Sequence, residues 1–157
     1  MDLRLSTKAE YGLKAMIDIA SQGGDKPVQV IDIARRQGIA RESLAVLMID
    51  LKRAGLVASV RGPTGGYLLT RDSEHISVRQ IIEALEGPIG SAFKQKEPRY
   101  GAGAAIHETW RNCLMTLIDT LENTSLDSLA KLSYSSALKA NQSKASEDVP
   151  EGYVFNI

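Results

Sequence analysis

Between Gly55 and Thr70 the chain changes period, and few folds accommodate the change. Upstream, apolar residues recur every three or four positions, and Leu44, Leu47, Met48 and Leu51 are the last such set. From Leu56 the pattern becomes β-rich through Val60. Six residues follow, Arg61-Gly62-Pro63-Thr64-Gly65-Gly66, and the pattern is β-rich again at Tyr67-Leu68-Leu69-Thr70. Three glycines and a proline in six residues set a turn, so this stretch predicts a hairpin whose longer loop carries a cation, Arg61.

The residues before the hairpin read as three helices. Thr7-Lys8-Ala9-Glu10 fits a capping box. Leu5, Ala9, Leu13, Met16, Ile17 and Ala20 recur at helical spacing as far as Gly23-Gly24. Pro27 opens a short extended piece, Val28-Gln29-Val30. Residues 31–37 form a short amphipathic helix stopped by Gly38, and a further helix runs from Arg41 to about Ala54. Two helices joined by a three- or four-residue turn containing glycine describe a helix-turn-helix, and Ala34 suits its close packing. The expected fold is mainly α with a small β-hairpin wing: a winged helix-turn-helix domain over 1–88, followed by a long dimerisation helix.

Val78–Glu86 is the last helix of that domain, with Val78, Ile81, Ile82 and Leu85 on one face and Gly87-Pro88 as its stop. Residues 89–103 read as an irregular loop of the kind that could hold a sensor. A long helix from Ala104 to Asn123 carries Ile106, Trp110, Leu114, Leu117 and Leu121 at spacings that pack on another helix, with Ile118 nearby. A helix projecting from a small domain has little of its own chain to bury that face against. The partner expected is the same helix of a second copy, giving a twofold homodimer. Thr124-Ser125-Leu126-Asp127 fits a second capping box, with Leu126, Leu129, Ala130 and Leu132 following, so dimer helix and next helix occupy 104–132. Residues 133–157 are expected as a flexible tail, polar and serine-rich to 151, ending in the apolar tip Tyr153-Val154-Phe155-Asn156-Ile157.

Composition bounds the function classes. The 19 basic and 19 acidic side chains cancel, yet residues 1–80 hold 12 basic and 9 acidic while the remainder hold 7 and 10. An anionic partner is therefore expected for the first half. No apolar run approaches the roughly 20 residues of a membrane span, and residues 1–6 lack the marks of a secretory signal, so a cytoplasmic protein with no membrane partner is expected. One cysteine, Cys113, excludes an intrachain disulfide and a four-cysteine zinc site. No nucleophile–base pair, phosphate-cradling loop or metal-ligand cluster is visible, and His75 and His107 fall in no catalytic pattern, so no enzymatic activity is expected.

Double-stranded DNA is the expected partner. A recognition helix presents its N-terminal residues to base edges in the major groove, here Arg41, Glu42 and Ser43 after Ala40. Arg41 can donate two parallel bonds to guanine, Glu42 can accept from cytosine, and Ser43 suits a base or a phosphate. Arg61, with Gly62, Gly65 and Gly66 around it, can enter a narrow minor groove. Lys8, Lys52 and Arg53 are candidate phosphate contacts. Other readings of these residues stay open. Arg41 and Glu42 also fit an ordinary solvated first turn, with Glu42 favouring the helix dipole. Gly65 and Gly66 also fit a purely backbone role, and Arg35 and Arg36 read as a solvated face. Cys113 reads as a core residue, and His107 as a helix-start histidine rather than a metal ligand.

These segments together resemble the family of small bacterial winged-helix regulators that includes IscR, NsrR and CymR. The resemblance is carried by Leu5-Ser6-Thr7-Lys8 with Tyr11-Gly12-Leu13, by residues 33–39, by Leu51-Lys52-Arg53-Ala54-Gly55-Leu56-Val57, by the wing from Ser59 to Leu69, and by Leu85-Glu86-Gly87-Pro88. It is dense over 1–90 and looser over 104–132. It implies a dimeric DNA-binding transcription regulator, read here as a repressor, that binds a pseudo-palindromic site and answers a signal in sulfur, cysteine or iron–sulfur metabolism. Many members hold an iron–sulfur cluster through three loop cysteines and a histidine. Here His107 stands in the histidine's place and Ala104 where a cysteine is expected, so no cofactor is predicted. A cluster would require cysteines in place of alanines such as Ala92, Ala102, Ala104 and Ala105. Ala45 and Val46 stand where many members have Glu-Gln in the recognition helix, so the DNA sequence read is expected to differ. CymR-like members lack the cysteines and end in a similar peptide. That resemblance implies that Phe155, Asn156 and Ile157 engage cysteine synthase, the alternative being that the tail packs on the dimer.

Overall fold

The computed structural model describes residues 4–23, 26–91, 98 and 100–147, with side chains to 141. Among these described residues, six helices and one hairpin follow in order. They are α1 (Thr7–Ser21), α2 (Val30–Gln37), α3 (Arg41–Arg53), β1 (Val57–Val60), β2 (Gly66–Leu69), a 3-10 turn at Ser73–His75, α4 (Val78–Glu86), α5 (Gly101–Asn123) and α6 (Leu126–Glu147).

The N-cap of α1 is Ser6 rather than Thr7. The Ser6 hydroxyl accepts from the Ala9 amide at 3.0 Å and donates to Glu86. Serine there leaves Thr7 free to start the first turn, and Ser6 also joins α1 to the end of α4. Helix α1 is the centre of the domain and packs against α2, α3, α4 and α6. Met16 and Ile19 on α1, Ile33 on α2, Leu44, Met48 and Leu51 on α3, and Ile76 and Ile81 around α4 are fully buried in one core. Where α1 crosses α4 the helices approach so closely that a Cβ on Gly12 would lie 2.1 Å from Leu85 Cδ1.

The expected domain end at residue 88 is not the end of the core. Leu126, the first residue of α6, is fully buried in it, and Leu121 and Leu129 pack against it. Backbone hydrogen bonds explain the docking. The Val78 amide donates to the Thr124 carbonyl at 2.9 Å, and the Leu126 amide donates to the Ile76 carbonyl at 2.8 Å. The corner between α5 and α6 is thus stitched to the segment that opens α4. Ser77, in a capping box with Gln80, also donates to Glu122 at 3.1 Å.

Two further expectations are corrected. Residues 101–103, expected in the loop, already belong to α5. Residues 133–147, expected as part of a flexible tail, continue α6 to Glu147. That stretch holds no glycine or proline, and its Ala, Leu, Lys, Gln and Glu are strong helix formers. Its serines do not interrupt the helix: the Ser136 hydroxyl donates to the Leu132 carbonyl one turn back, at 2.8 Å. The tip, with Phe155, Asn156 and Ile157, lies outside the described residues. Among the described residues no helix is long and apolar enough to cross a membrane.

Candidate nucleic-acid interface

The turn between α2 and α3 is set by Gly38, whose φ of +64° is left-handed. The amides of Gly38 and Ile39 both return to the Ala34 carbonyl, and Ile39 is buried. This closes α2 and sends α3 off across it. Leu44, Leu47, Met48 and Leu51 hold α3 on the core, which leaves Arg41, Glu42 and Ser43 exposed at its N-terminal end. Arg41 has no hydrogen-bond or ion-pair partner among the described residues.

The placement of α2 on α1 depends on a buried carboxylate that periodicity did not single out. Asp18 is 4% exposed. It accepts from Arg36 Nη2 at 2.6 Å, from Arg36 Nε at 3.0 Å and from Gln37 Nε2 at 2.8 Å. Donation to Asp18 raises the Arg36 pKa above the ordinary arginine value. Arg36 is exposed, as expected of a solvated face, and also locks α2 to α1 through this carboxylate. Arg35 is exposed as expected and pairs with Asp32 at 3.0 Å. The signal for Asp18 was available: a carboxylate directly before Ile19 on a helix with a continuous apolar face needs a cation within reach.

Strands β1 and β2 pair antiparallel in the register Val57↔Leu69, Ala58↔Leu68, Ser59↔Tyr67 and Val60↔Gly66. Val28, ahead of α2, adds a single-residue bridge on the other side of β2, exchanging 2.8 Å hydrogen bonds with Tyr67. A Cβ on Gly66 would lie 2.4 Å from the Val28 carbonyl oxygen, and one on Gly65 would lie 2.2 Å from the Val60 carbonyl oxygen. Gly65 and Gly66 thus have a backbone role: they let the wing close against its own strand and against the start of α2. Gln29 adds a clasp, donating to the Pro63 carbonyl at 3.1 Å. Arg61 and Gly62 remain exposed on the loop, and Arg61 has no partner among the described residues.

The candidate phosphate contacts divide. Lys8 is tied inward, with Nζ 2.6 Å from the Leu85 carbonyl and 3.0 Å from Asp50. It joins α1, α3 and α4 while its side chain stays partly exposed. Lys52 donates to Ser59 at 2.6 Å, fastening α3 to the wing while staying exposed. Arg53 is exposed, with a distant 3.8 Å pairing to Asp50.

The apolar seam expected on α5 divides as well. Leu114 and Leu121 are half-buried on their own chain, Leu114 against Gly90 and Leu121 against the core. Ile106, Trp110 and Leu117 are 70%, 47% and 50% exposed. Cys113, expected in the core, is exposed on the same stripe. The outward seam is therefore Ile106, Trp110, Cys113 and Leu117. Its spacings of four, three and four are those of a two-helix contact. The reason is rotational: at about 100° per residue, Leu114 and Leu121 lie roughly a sixth of a turn from the line of this stripe.

A family model described as "Rrf2: Iron-dependent Transcriptional regulator" matches residues 5–132. This chain belongs to the Rrf2 family. The HTH-type transcriptional regulator IscR of Pectobacterium atrosepticum is 38% identical over 129 residues, 81% of this chain and 79% of that protein. Among solved structures, CymR, the global cysteine regulator of B. subtilis, superposes with a TM-score of 0.73 at 34% identity, over 83% of this chain and 98% of that one. IscR of T. potens superposes at 0.70 and 31% identity, over 99% and 98%. The winged-helix fold expected from the sequence is confirmed, and this Rrf2 protein is a DNA-binding transcription regulator. Its relatives are transcriptional regulators.

The residues of this Rrf2 chain do not fit the thiolate-held cluster that iron dependence in the family suggests. Such clusters are held by several cysteine thiolates. The chain has one cysteine, exposed on the outward stripe of α5. His107 is half-buried on the same helix, and no group of three or more metal-ligating side chains is found among the described residues.

Proposed function

We propose that this protein is a cluster-free, cytoplasmic homodimeric repressor that reads a pseudo-palindromic DNA site. The observation that carries the reading is the pair of exposed arginines without partners among the described residues, Arg41 at the start of α3 and Arg61 on the wing. Arg41, Glu42 and Ser43 meet base edges in the major groove, Arg61 enters the adjoining minor groove, and Lys52 and Arg53 meet phosphates. The exposed stripe of α5 supports the dimer, because a second copy would cover it and place two α3 helices for two half-sites. Gel-shift titration of the full chain on the DNA upstream of its own gene tests the reading. Binding that falls steeply with salt and changes with sequence is expected. Salt-insensitive or absent binding would overturn it.

A second layer concerns the signal. The likeness to a cysteine regulator favours sulfur metabolism, with the C-terminal Phe155, Asn156 and Ile157 recruiting cysteine synthase. Phe155 and Ile157 offer an aromatic and an aliphatic side chain of the kind that a peptide-binding pocket reads. Titration of cysteine synthase with the full chain and with a chain lacking Ile157 decides this: binding only by the full chain is expected, and equal binding or none removes this layer.

A further inference from the structure

The face of α3 that turns away from the core is more aliphatic than a solvated helix requires. With Leu44, Leu47, Met48 and Leu51 inward, the helical period places Glu42, Val46, Ile49 and Arg53 on the opposite side, with Ala45 beside them. Val46 is 59% exposed and Ile49 is 47% exposed. β-Branched side chains are poorer helix formers than the glutamate, lysine and arginine around them, and here about half of each stays exposed. The strip is bounded by Arg41 at one end and by Lys52 and Arg53 at the other, all exposed. That rim suits a polyanion rather than an apolar partner.

We infer that Val46 and Ile49 are specificity determinants that read thymine methyl groups in the major groove. Of the four bases only thymine presents a methyl group there, and an aliphatic side chain packs on it. An aliphatic side chain offers no hydrogen bond, so opposite the cytosine amine or the guanine acceptors it would leave buried polar groups unpaired. A site containing A·T pairs at the steps facing these two residues follows, flanked by the pair that Arg41 reads.

The inference rests on the docking of α3 proposed above, and the experiment separates the two. A duplex is first selected from a randomised pool by the full-length protein. Each thymine of the selected site is then replaced by deoxyuridine, which removes only the methyl group. At the thymines facing Val46 and Ile49 the affinity should fall about fourfold per half-site, the value of one buried methyl group at ~0.8 kcal/mol. Val46→Ala and Ile49→Ala, both at exposed positions, should each bring the thymine-to-uracil ratio to about one at a single step. Arg61→Ala should weaken binding to both duplexes and leave the ratio unchanged. If no duplex is selected, the docking itself fails, and this inference with it. If a duplex is selected and uracil binds as well as thymine at every step, or the ratio survives both alanine variants, methyl readout is overturned while docking stands.

Discussion

Arg36 closes a two-pronged ion pair on Asp18, with Nη2 to Oδ1 at 2.6 Å and Nε to Oδ2 at 3.0 Å, across the junction of the first two helices. The aspartate side chain is 3% exposed and the arginine side chain 36%. Breaking the pair from either side therefore has unequal consequences. Arg36→Met leaves a buried carboxylate held only by Gln37 and should lower stability by about 2–3 kcal/mol, less than a wholly buried pair because the arginine reaches water. Asp18→Asn leaves a guanidinium that water can solvate and should cost less. Urea denaturation of the two variants measures the order.

The same pair sets a pH expectation. Donation to Asp18 raises the Arg36 pKa. A cation whose folded pKa is raised contributes stability in full below its unfolded pKa, and loses it only as pH rises through the folded value. That window lies above the ordinary arginine range. The stability difference between the protein and Asp18→Asn, a variant with no buried carboxylate to titrate, should therefore stay constant between about pH 6 and 9, and a slope in chemical denaturation over that range would contradict it.

Gly66 faces backbone rather than a movable side chain, since the Val28 carbonyl oxygen would lie 2.4 Å from any Cβ. Gly66→Ala should cost about 1–3 kcal/mol of stability. It should also open the Val28–Tyr67 pair, which hydrogen exchange at those two amides would register as lost protection.

The two exposed arginines should fail differently in DNA binding. Arg61→Ala should weaken binding most on sites with a narrow, A·T-rich minor groove and reduce the salt slope by about one. Arg41→Ala should cost about 1–3 kcal/mol on the preferred site and relax the preference at one base pair. Titrations at several salt concentrations on matched and mismatched duplexes separate these outcomes.

The division of α5 predicts which apolar positions control assembly. Trp110→Glu lies on the outward stripe and should yield a folded monomer of reduced DNA affinity. Leu114→Glu lies against Gly90 of the same chain and should lower the melting temperature instead. Light scattering and thermal unfolding of both variants distinguish an assembly defect from a folding defect.

The sequence by itself determined what is local in this protein. The turn at Gly38, the wing between Val60 and Tyr67, and the bounds of α4 at Val78 and Glu86 follow from glycine, proline and period, which act over a few residues. Only the tertiary structure decided which neighbour covers which face. Periodicity marked α5 as apolar but could not say that Leu114 and Leu121 turn inward while Cys113 turns outward. Nor could it show that Leu126 enters the core, that Lys8 bonds to Asp50 and Leu85, or that Asp18 requires Arg36. Each of these joins residues far apart in the chain. A local pattern states that a face must be buried or a charge compensated, and only packing supplies the partner.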